Sequence, residues 1–520
     1  MAKRFNVTGK CIAALHYMAN VSGKFKAIMD MIDIGDYFII NRPRQYGKTT
    51  MLFQLTERLN HTEGYLALRT SFEGVGDTGF HNEANFCNLF FSLLYDKAKY
   101  LREDTLAAFL MDAQKKVDTL KELSEAISQL VCIADRKMVV LIDEVDKSSN
   151  NQLFLHFLGL LRDKYLDRDQ TPTFHSVVLA GVHDVKILKL KLRPDAEAKL
   201  NSPWNIATDF RVDMNLQPSE IVSMLDDYAA ERGVAMDARR MAEHLFYYTS
   251  GYPFLVSRLC KMLDEEMPDV QSRKNWTEDD LDQAVDLLVQ ESNVNFDEVV
   301  KNLENNPELY QLVEDMLITG EVFPFTIHDP IIQLGALYGI FANQNGLAIH
   351  NRIYREVIYN YMTLRAMRQQ EHVNREFSGA YWLPGNRLDV ERLLLRFQAL
   401  LREEYSKKDR DFLERHGRLL FLAFLKPLLN GHGHAFKEPQ ISEEKRLDVV
   451  ITYHQHKYVA ELKVWRGPKA HKAGLEQLAD YLDRQSLEAG YLIIFDHAET
   501  KAWETKRIRV KGKRIFAVWV

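Results

Sequence analysis

The sequence predicts an α/β protein of several domains, and three observations predict it. Within residues 1–212, continuous apolar runs (Tyr37–Ile40, Met138–Ile142, Ser176–Ala180) alternate with amphipathic helical stretches, the pattern of a parallel sheet covered on both faces. Residues 213–300 read as four consecutive helical segments. Beyond residue 385, strand-like runs return as hairpins interleaved with helices. A chain of 520 residues has room for three or four domains, each burying its own core.

Composition narrows the class. Hydrophobic residues at 46% and charged residues at 27% belong to a folded globular chain. The 67 basic and 73 acidic side chains give a net charge of −6, unevenly spread. Residues 381–520 hold 26 basic against 19 acidic side chains, an excess of +7, which leaves 41 against 54, or −13, for residues 1–380. A basic last quarter is where a polyanionic partner is expected. Cys11, Cys87, Cys132 and Cys260 have no paired spacing, which excludes a disulfide scaffold and a cysteine zinc site. The run Leu419–Leu425 is stopped by Lys426, too short to span a membrane. No secretory signal is read at the N-terminus, so a cytoplasmic protein without membrane partners is expected.

In the first segment, Arg42-Pro43-Arg44-Gln45-Tyr46-Gly47-Lys48-Thr49-Thr50 follows a strand and precedes the helical Met51–Asn60. Strand, loop, Gly-Lys-Thr and helix make the context of a nucleotide phosphate loop. Residues Pro43–Thr50 would bind the nucleotide: backbone N–H groups at the helix start would cradle phosphates, Lys48 would reach the β/γ oxygens and Thr49 would hold Mg²⁺. Arg42 stands where the first Gly of such loops is usual. Met138–Ile142 runs into Asp143-Glu144, and two acids at a buried strand end are costly unless a metal compensates. Asp143 is read as the metal-holding carboxylate and Glu144 as the water-activating one. Ser176–Gly181 is expected beside that strand, with His183-Asp184 a candidate γ-phosphate sensor or a structural loop. Arg162 and Arg193 are candidate fingers acting in trans.

YFIINRPRQYGKTT, LIDEVD, SVVLAGVHD, SPWNIATDF and TSGYPFLVSRLC together resemble the AAA-like P-loop ATPases of bacteria and archaea related to the STAND branch. That resemblance covers about residues 10–300. It implies an AAA-type core (1–212) with a helical lid (213–300), ATP and Mg²⁺ as cofactors, and Gly251-Tyr252-Pro253 near the nucleotide. Tyr17 and Met18 resemble the segment near the adenine. A homo-oligomer is in keeping, since AAA-type sites are often completed by a neighbour.

Lid helices are marked by Pro218, by Pro253 and by Thr277 ahead of Glu278-Asp279-Asp280, a capped acidic start. Residues 301–370 read as helix, short strand, helix, hairpin, helix, the order of a winged helix. Its hairpin is expected at Gly339–Ala342 and Leu347–His350, turning through Asn343–Gly346. The segment His328–Tyr338 lacks Lys and Arg, so a structural or regulatory role is favoured over DNA reading. A linker is placed at 371–384.

In residues 385–520, Arg446–Tyr453 and Tyr458–Trp465 are strand-like runs joined by His454–Lys457. A four-residue turn would pair Tyr453 with Tyr458 and set Asp448 opposite Lys463. Glu461 and Lys463 share a face by the two-residue repeat, with Glu461 diagonal to Asp448. Two acids and a lysine on one spot can hold a divalent metal, activate water and assist a displaced phosphate. An exposed hairpin with an ordinary ion pair is the plainer alternative, but Gln477 and Tyr481 follow at i, i+4 on a helix and Glu414 lies on an upstream one. These pieces resemble the PD-(D/E)XK nuclease superfamily. The resemblance implies Asp448, Glu461 and Lys463 as the catalytic core, Glu414 as an added metal-binding acid, and Gln477 and Tyr481 as a helix motif of its RecB-like members. FKEPQISEEKRLDVVITY and KRIFAVWV look like the nuclease domain fused to such ATPases. Leu447, not Pro, precedes Asp448.

The expected function is an ATP-hydrolysing protein with a Mg²⁺-dependent nuclease domain, Mn²⁺ able to substitute. It would cleave nucleic acid, DNA favoured over RNA, under nucleotide control, with defence against foreign DNA a fitting role. The alternative is an ATPase switch or scaffold whose nuclease-like domain binds nucleic acid or a protein without cutting. The basic KAWETKRIRVKGKR is the expected backbone contact.

Overall fold

A computed structural model describes residues 3–145, 152–181, 206–208, 210–319, 323–369, 382–385, 387–404, 421–422, 424–425, 433–436, 449–454, 456–465, 468–496 and 503–520. His183, Asp184, Arg193, Glu414, Asp448 and residues 371–381 of the expected linker lie outside them. The chain forms two compact units, Met1–Leu309 with Pro324–Glu356, and Tyr310–Phe323 with Val357–Val520.

In the first unit, four parallel strands, β1 (Tyr37–Asn41), β2 (Tyr65–Ser71), β3 (Lys137–Asp143) and β4 (Ser176–Gly181), stand in the order β1-β4-β3-β2. A parallel bridge from Thr208 to Phe38 extends the far edge of β1. β4 is buried throughout and β3 nearly so, as apolar runs covered on both faces must be. Helices Lys48–Asn60, Glu83–Tyr100, Leu120–Ala134 and Gln152–Leu166 fill the crossovers. Their packing is aromatic: Phe86, Phe90 and Phe157 lie with ring centroids 5.0–6.4 Å apart and are fully buried.

The sheet leads into helices Pro218–Arg232, Ala238–Thr249, Pro253–Lys261 and Glu278–Gln290. Pro218 and Pro253 open their helices, and Thr277 forms a capping box with Asp280. Between the second and third helices Gly251 sits at φ +74°, where a Cβ would lie 2.1 Å from the Leu216 carbonyl oxygen. Leu216 N–H donates to the Gly251 carbonyl at 2.7 Å, fixing these helices to the segment that leads into them. Gly251→Ala combines a left-handed backbone with a backbone clash, so it should destabilise this unit by about 3 kcal/mol. A urea midpoint equal to wild type would contradict that.

Helix Pro330–Leu337 and the hairpin β5 (Phe341–Asn343) and β6 (Leu347–Ile349) complete the unit. The strands are shorter than expected, because Gly335 packs directly on Phe341 and the Ile340 amide still bonds back to the Gly335 carbonyl. Among the described residues between Thr319 and Pro330 there is no strand.

The second unit is built on a six-stranded mixed sheet in the order β13-β14-β12-β11-β10-β9. Its strands are β9 (Gly433–Phe436), β10 (Val449–Tyr453), β11 (His456–Val464), β12 (Ala489–Phe495), β13 (Thr505–Val510) and β14 (Lys513–Trp519); a small pair, β7 (Trp382–Leu383) and β8 (Arg387–Leu388), precedes them. One face packs on helix Val390–Glu404 and residues Phe421, Phe424 and Leu425, the other on helix Pro468–Arg484. The expected pairing of Tyr453 with Tyr458 is corrected: Tyr453 pairs with His456, and Val449 with Ala460. His454 at φ +49° makes a tighter turn whose twist suits the flanking strands. A shift of two leaves every side chain on its expected face. Among the described residues no helix is long and apolar enough to cross a membrane.

Candidate functional site

Phosphate-loop residues are set by β1 and the helix Lys48–Asn60. Gln45 (φ +56°) and Gly47 (φ +77°) turn the chain so that Lys48 begins the helix. Its side chain is buried, and the ammonium donates to the carbonyl oxygens of Arg42 at 2.7 Å and Pro43 at 2.8 Å. The ammonium is thereby folded back against the loop at the helix N-terminus, where backbone N–H groups favour anions.

Across the sheet, β3 delivers Asp143 at 2% exposure, two strands from β1 with β4 between them. Burial pushes its carboxyl above the ordinary value. The Thr49 hydroxyl, the Glu144 amide and the Lys48 charge act against that shift. The Thr49 hydroxyl is thus near enough to Asp143 to offset part of its rise, which brings together the two sequence-distant residues expected to hold Mg²⁺. A buried carboxylate beside a hydroxyl is a donor set that fits a hard divalent cation completed by phosphate oxygens and water. Glu144, half-buried at φ +53°, follows it with its amide on Asp143 Oδ1 at 3.0 Å. The Thr50 hydroxyl accepts the Cys11 amide at 2.9 Å. Arg44 points outward to Glu298 (3.2 Å).

Arg42, in the usual place of the first Gly, is a tether: its guanidinium donates to the Val212 carbonyl at 2.9 Å and lies over the Phe210 ring. Tyr17 is buried with Phe5 and Tyr228 and accepts a hydrogen bond from Arg232; Met18 sulfur meets Gln54.

Two residues escaped the sequence. Tyr46 Oη lies 2.6 Å from Asn215 Oδ1 and 2.7 Å from His350 Nε2. Burial pushes His350 down to about 4. An unfolded chain takes up that proton near the ordinary 6.5, so stability is full above pH 6.5 and falls as pH drops toward 4. Up to about 3 kcal/mol is at stake, and His350→Gln should flatten that window in urea titrations at pH 7 and 5. An unchanged slope would reject the assignment.

In the second unit β11, flanked by β12 and β10, carries Glu461 and Lys463 on the face that packs on helix Pro468–Arg484. Glu461 is wholly buried, and Lys463 Nζ reaches its Oε1 at 2.6 Å while remaining 41% exposed. Gly474 of the helix backs the Lys463 stem: a Cβ there would lie 3.6 Å from its Cε. Gln477 and Tyr481 follow on the same helix, and Tyr481 packs against the Leu478–Leu482 cluster. Glu414 and Asp448 are outside the described residues, among which no three His, Cys, Asp or Glu side chains gather as a metal site.

The basic terminal hairpin is largely self-neutralised. Lys506 pairs with Glu504, Arg507 with Glu391, Lys511 with Asp480, and Lys513 with Asp483 and Glu488. Exposed pairs of this kind are worth little, so they yield readily to phosphate.

No known protein family and no curated protein matches the chain. Among solved structures, a Walker-type ATPase of Pyrococcus abyssi is 12% identical, with 68% of this chain and 99% of that one covered at a TM-score of 0.47. An Aeropyrum pernix ORC2 protein in ADPNP–ADP complexes (14%, 70% and 97%, TM-score 0.36) and a Thermotoga maritima RuvB mutant (13%, 65% and 95%, TM-score 0.33) also align. Likeness this low leaves the chemistry to be read from the chain's own side chains.

Proposed function

We propose that the first unit binds and hydrolyses ATP with Mg²⁺, in the manner of AAA-like ATPases. One observation carries this reading: the Asp143 carboxyl, buried at the end of β3, feels both the Thr49 hydroxyl and the Lys48 charge although β4 lies between their strands. Lys48 and the helix N-terminus supply positive potential for phosphate. Mg²⁺, held by Thr49 and Asp143, would neutralise phosphate charge, and Glu144 would take a proton from the attacking water.

The second unit, in the same proposal, is a metal-dependent nuclease acting on nucleic acid, DNA before RNA, with ATP controlling its action. What supports it is Glu461 held wholly buried beside Lys463 on the face that carries Gln477 and Tyr481. Asp448 and Glu414 complete the metal-binding set in this reading. The winged-helix reading of 301–370 and a homo-oligomeric assembly belong to it as well. Lys463 already compensates Glu461, which equally favours a second reading: a scaffold ATPase that binds nucleic acid or protein without cutting. Purified protein with Mg²⁺ or Mn²⁺, on single- and double-stranded DNA and RNA with and without ATP, separates them. Cleavage dependent on metal supports the first; binding without cleavage on every substrate leaves only the second.

A further inference from the structure

Two hydrogen-bond chains reach the phosphate loop, and their proton directions can be worked out from valence alone. Asn215 Oδ1 only accepts, so the Tyr46 hydroxyl spends its one proton there, at 2.6 Å. Tyr46 Oη must then accept from His350 Nε2–H at 2.7 Å, which leaves His350 Nδ1 to accept from Asn351 Nδ2 at 3.2 Å. In the second chain Tyr354 donates to Asn295 Oδ1 at 2.7 Å, Asn295 Nδ2 to Tyr252 Oη at 3.4 Å, and Tyr252 to the Arg44 carbonyl at 2.6 Å. Tyr46, Tyr252, Asn295, His350, Asn351 and Tyr354 are all at least nine-tenths buried. Asn351 also caps the helix that begins at Arg352, its Oδ1 accepting from the Tyr354 amide at 2.8 Å. The first chain thus runs from the cap residue Asn351 through Tyr46 of the loop to Asn215, and the second from Tyr354 in the first turn of the same helix to the Arg44 carbonyl of the loop. Gly339, at φ +71°, lets the same segment close on Pro43, where a Cβ would come within 2.7 Å of Cγ.

We propose that His350 and Tyr354 are positioning residues of the phosphate loop, acting through Tyr46 and Tyr252 to hold it in its phosphate-cradling form. A loop fixed on both sides loses less conformational freedom when a ligand binds. Neither residue is assigned a contact with nucleotide. This rests on the ATP-site reading for its purpose, but the support itself is testable without nucleotide.

Hydrogen exchange of loop amides 44–47 provides that test, measured on the full chain without nucleotide and with Mg·ATP. Tyr46→Phe and Tyr252→Phe each remove one hydroxyl and no volume of consequence. Each should speed loop exchange about tenfold while β1, β3 and β4 exchange as in wild type, since one buried hydrogen bond is worth about one decade. His350→Leu, which removes only the second of the two Tyr46 bonds, should speed exchange by no more than Tyr46→Phe, the double variant should be no faster than Tyr46→Phe, and His350→Gln, which keeps a donor, should restore protection. Loop exchange at the wild-type rate in Tyr46→Phe and His350→Leu overturns the proposal, as does multiplication of their effects in the double variant. Should His350→Leu unfold, the Tyr46→Phe and Tyr252→Phe variants decide alone. Wild-type protein that fails to bind ATP, yet shows these exchange changes, would sink the ATP reading and leave the positioning role standing.

Discussion

Lys48→Ala should weaken ATP binding by two to three orders of magnitude without unfolding the chain. The ammonium is buried and aimed into the loop by the carbonyls of Arg42 and Pro43. Other cations nearby are committed elsewhere: Arg42 to the Val212 carbonyl, Arg44 to Glu298. Charge-assisted hydrogen bonds contribute about 1.5–3 kcal/mol each, and stripping a buried charge of its partner costs about 3–5 kcal/mol. At about 1.4 kcal/mol per tenfold, that is a loss of roughly 10²–10³ in affinity. Alanine favours the helix that starts at this position, so circular dichroism should be unchanged. Calorimetric titration with Mg·ATP reads the effect, and wild-type affinity in the variant would remove the loop from consideration as a nucleotide site. Nuclease action that persists unchanged in the same variant would remove nucleotide control.

Glu461→Gln should lower nucleic-acid cleavage by at least about 10²-fold and leave ATP binding intact. This variant is the informative one because the side chain is wholly buried and the amide preserves its volume. Lys463→Ala is less clean. It would strand a buried carboxylate, and the resulting loss of about 3–5 kcal/mol would confuse chemistry with folding. Undiminished metal-dependent cleavage by Glu461→Gln would move the activity away from this sheet face and favour the scaffold reading.

Some of this was legible before any fold was in hand. Continuous apolar runs marked β1, β3 and β4, because a strand buried on both faces has no polar positions to spare. Gly47-Lys48-Thr49 and Asp143-Glu144 announced themselves as local motifs. Their meeting did not: that Asp143 lies near Thr49 and Lys48 depends on the order β1-β4-β3-β2, which no local pattern encodes. Tyr46 looked like an arbitrary loop residue because its partners, Asn215 and His350, are 169 and 304 positions away. The hairpin after Tyr453 was misjudged by two residues, since His454 adopts a left-handed backbone that its side chain does not advertise. Counting lysines and arginines near the C-terminus overstated their availability, because the neutralising carboxylates Glu391, Asp480, Asp483 and Glu488 come from other elements.

The outermost strand of the six-stranded sheet, β13, bears on what this protein meets. Among the described residues no strand pairs on its outer side, and such an edge of amides and carbonyls is the template on which a foreign strand adds. Three of its six side chains are cations, Lys506, Arg507 and Arg509. An incoming polypeptide strand would bring its backbone against that crowd of charge and pay desolvation for each one. The cations along this border thus guard the sheet against the addition of a foreign strand.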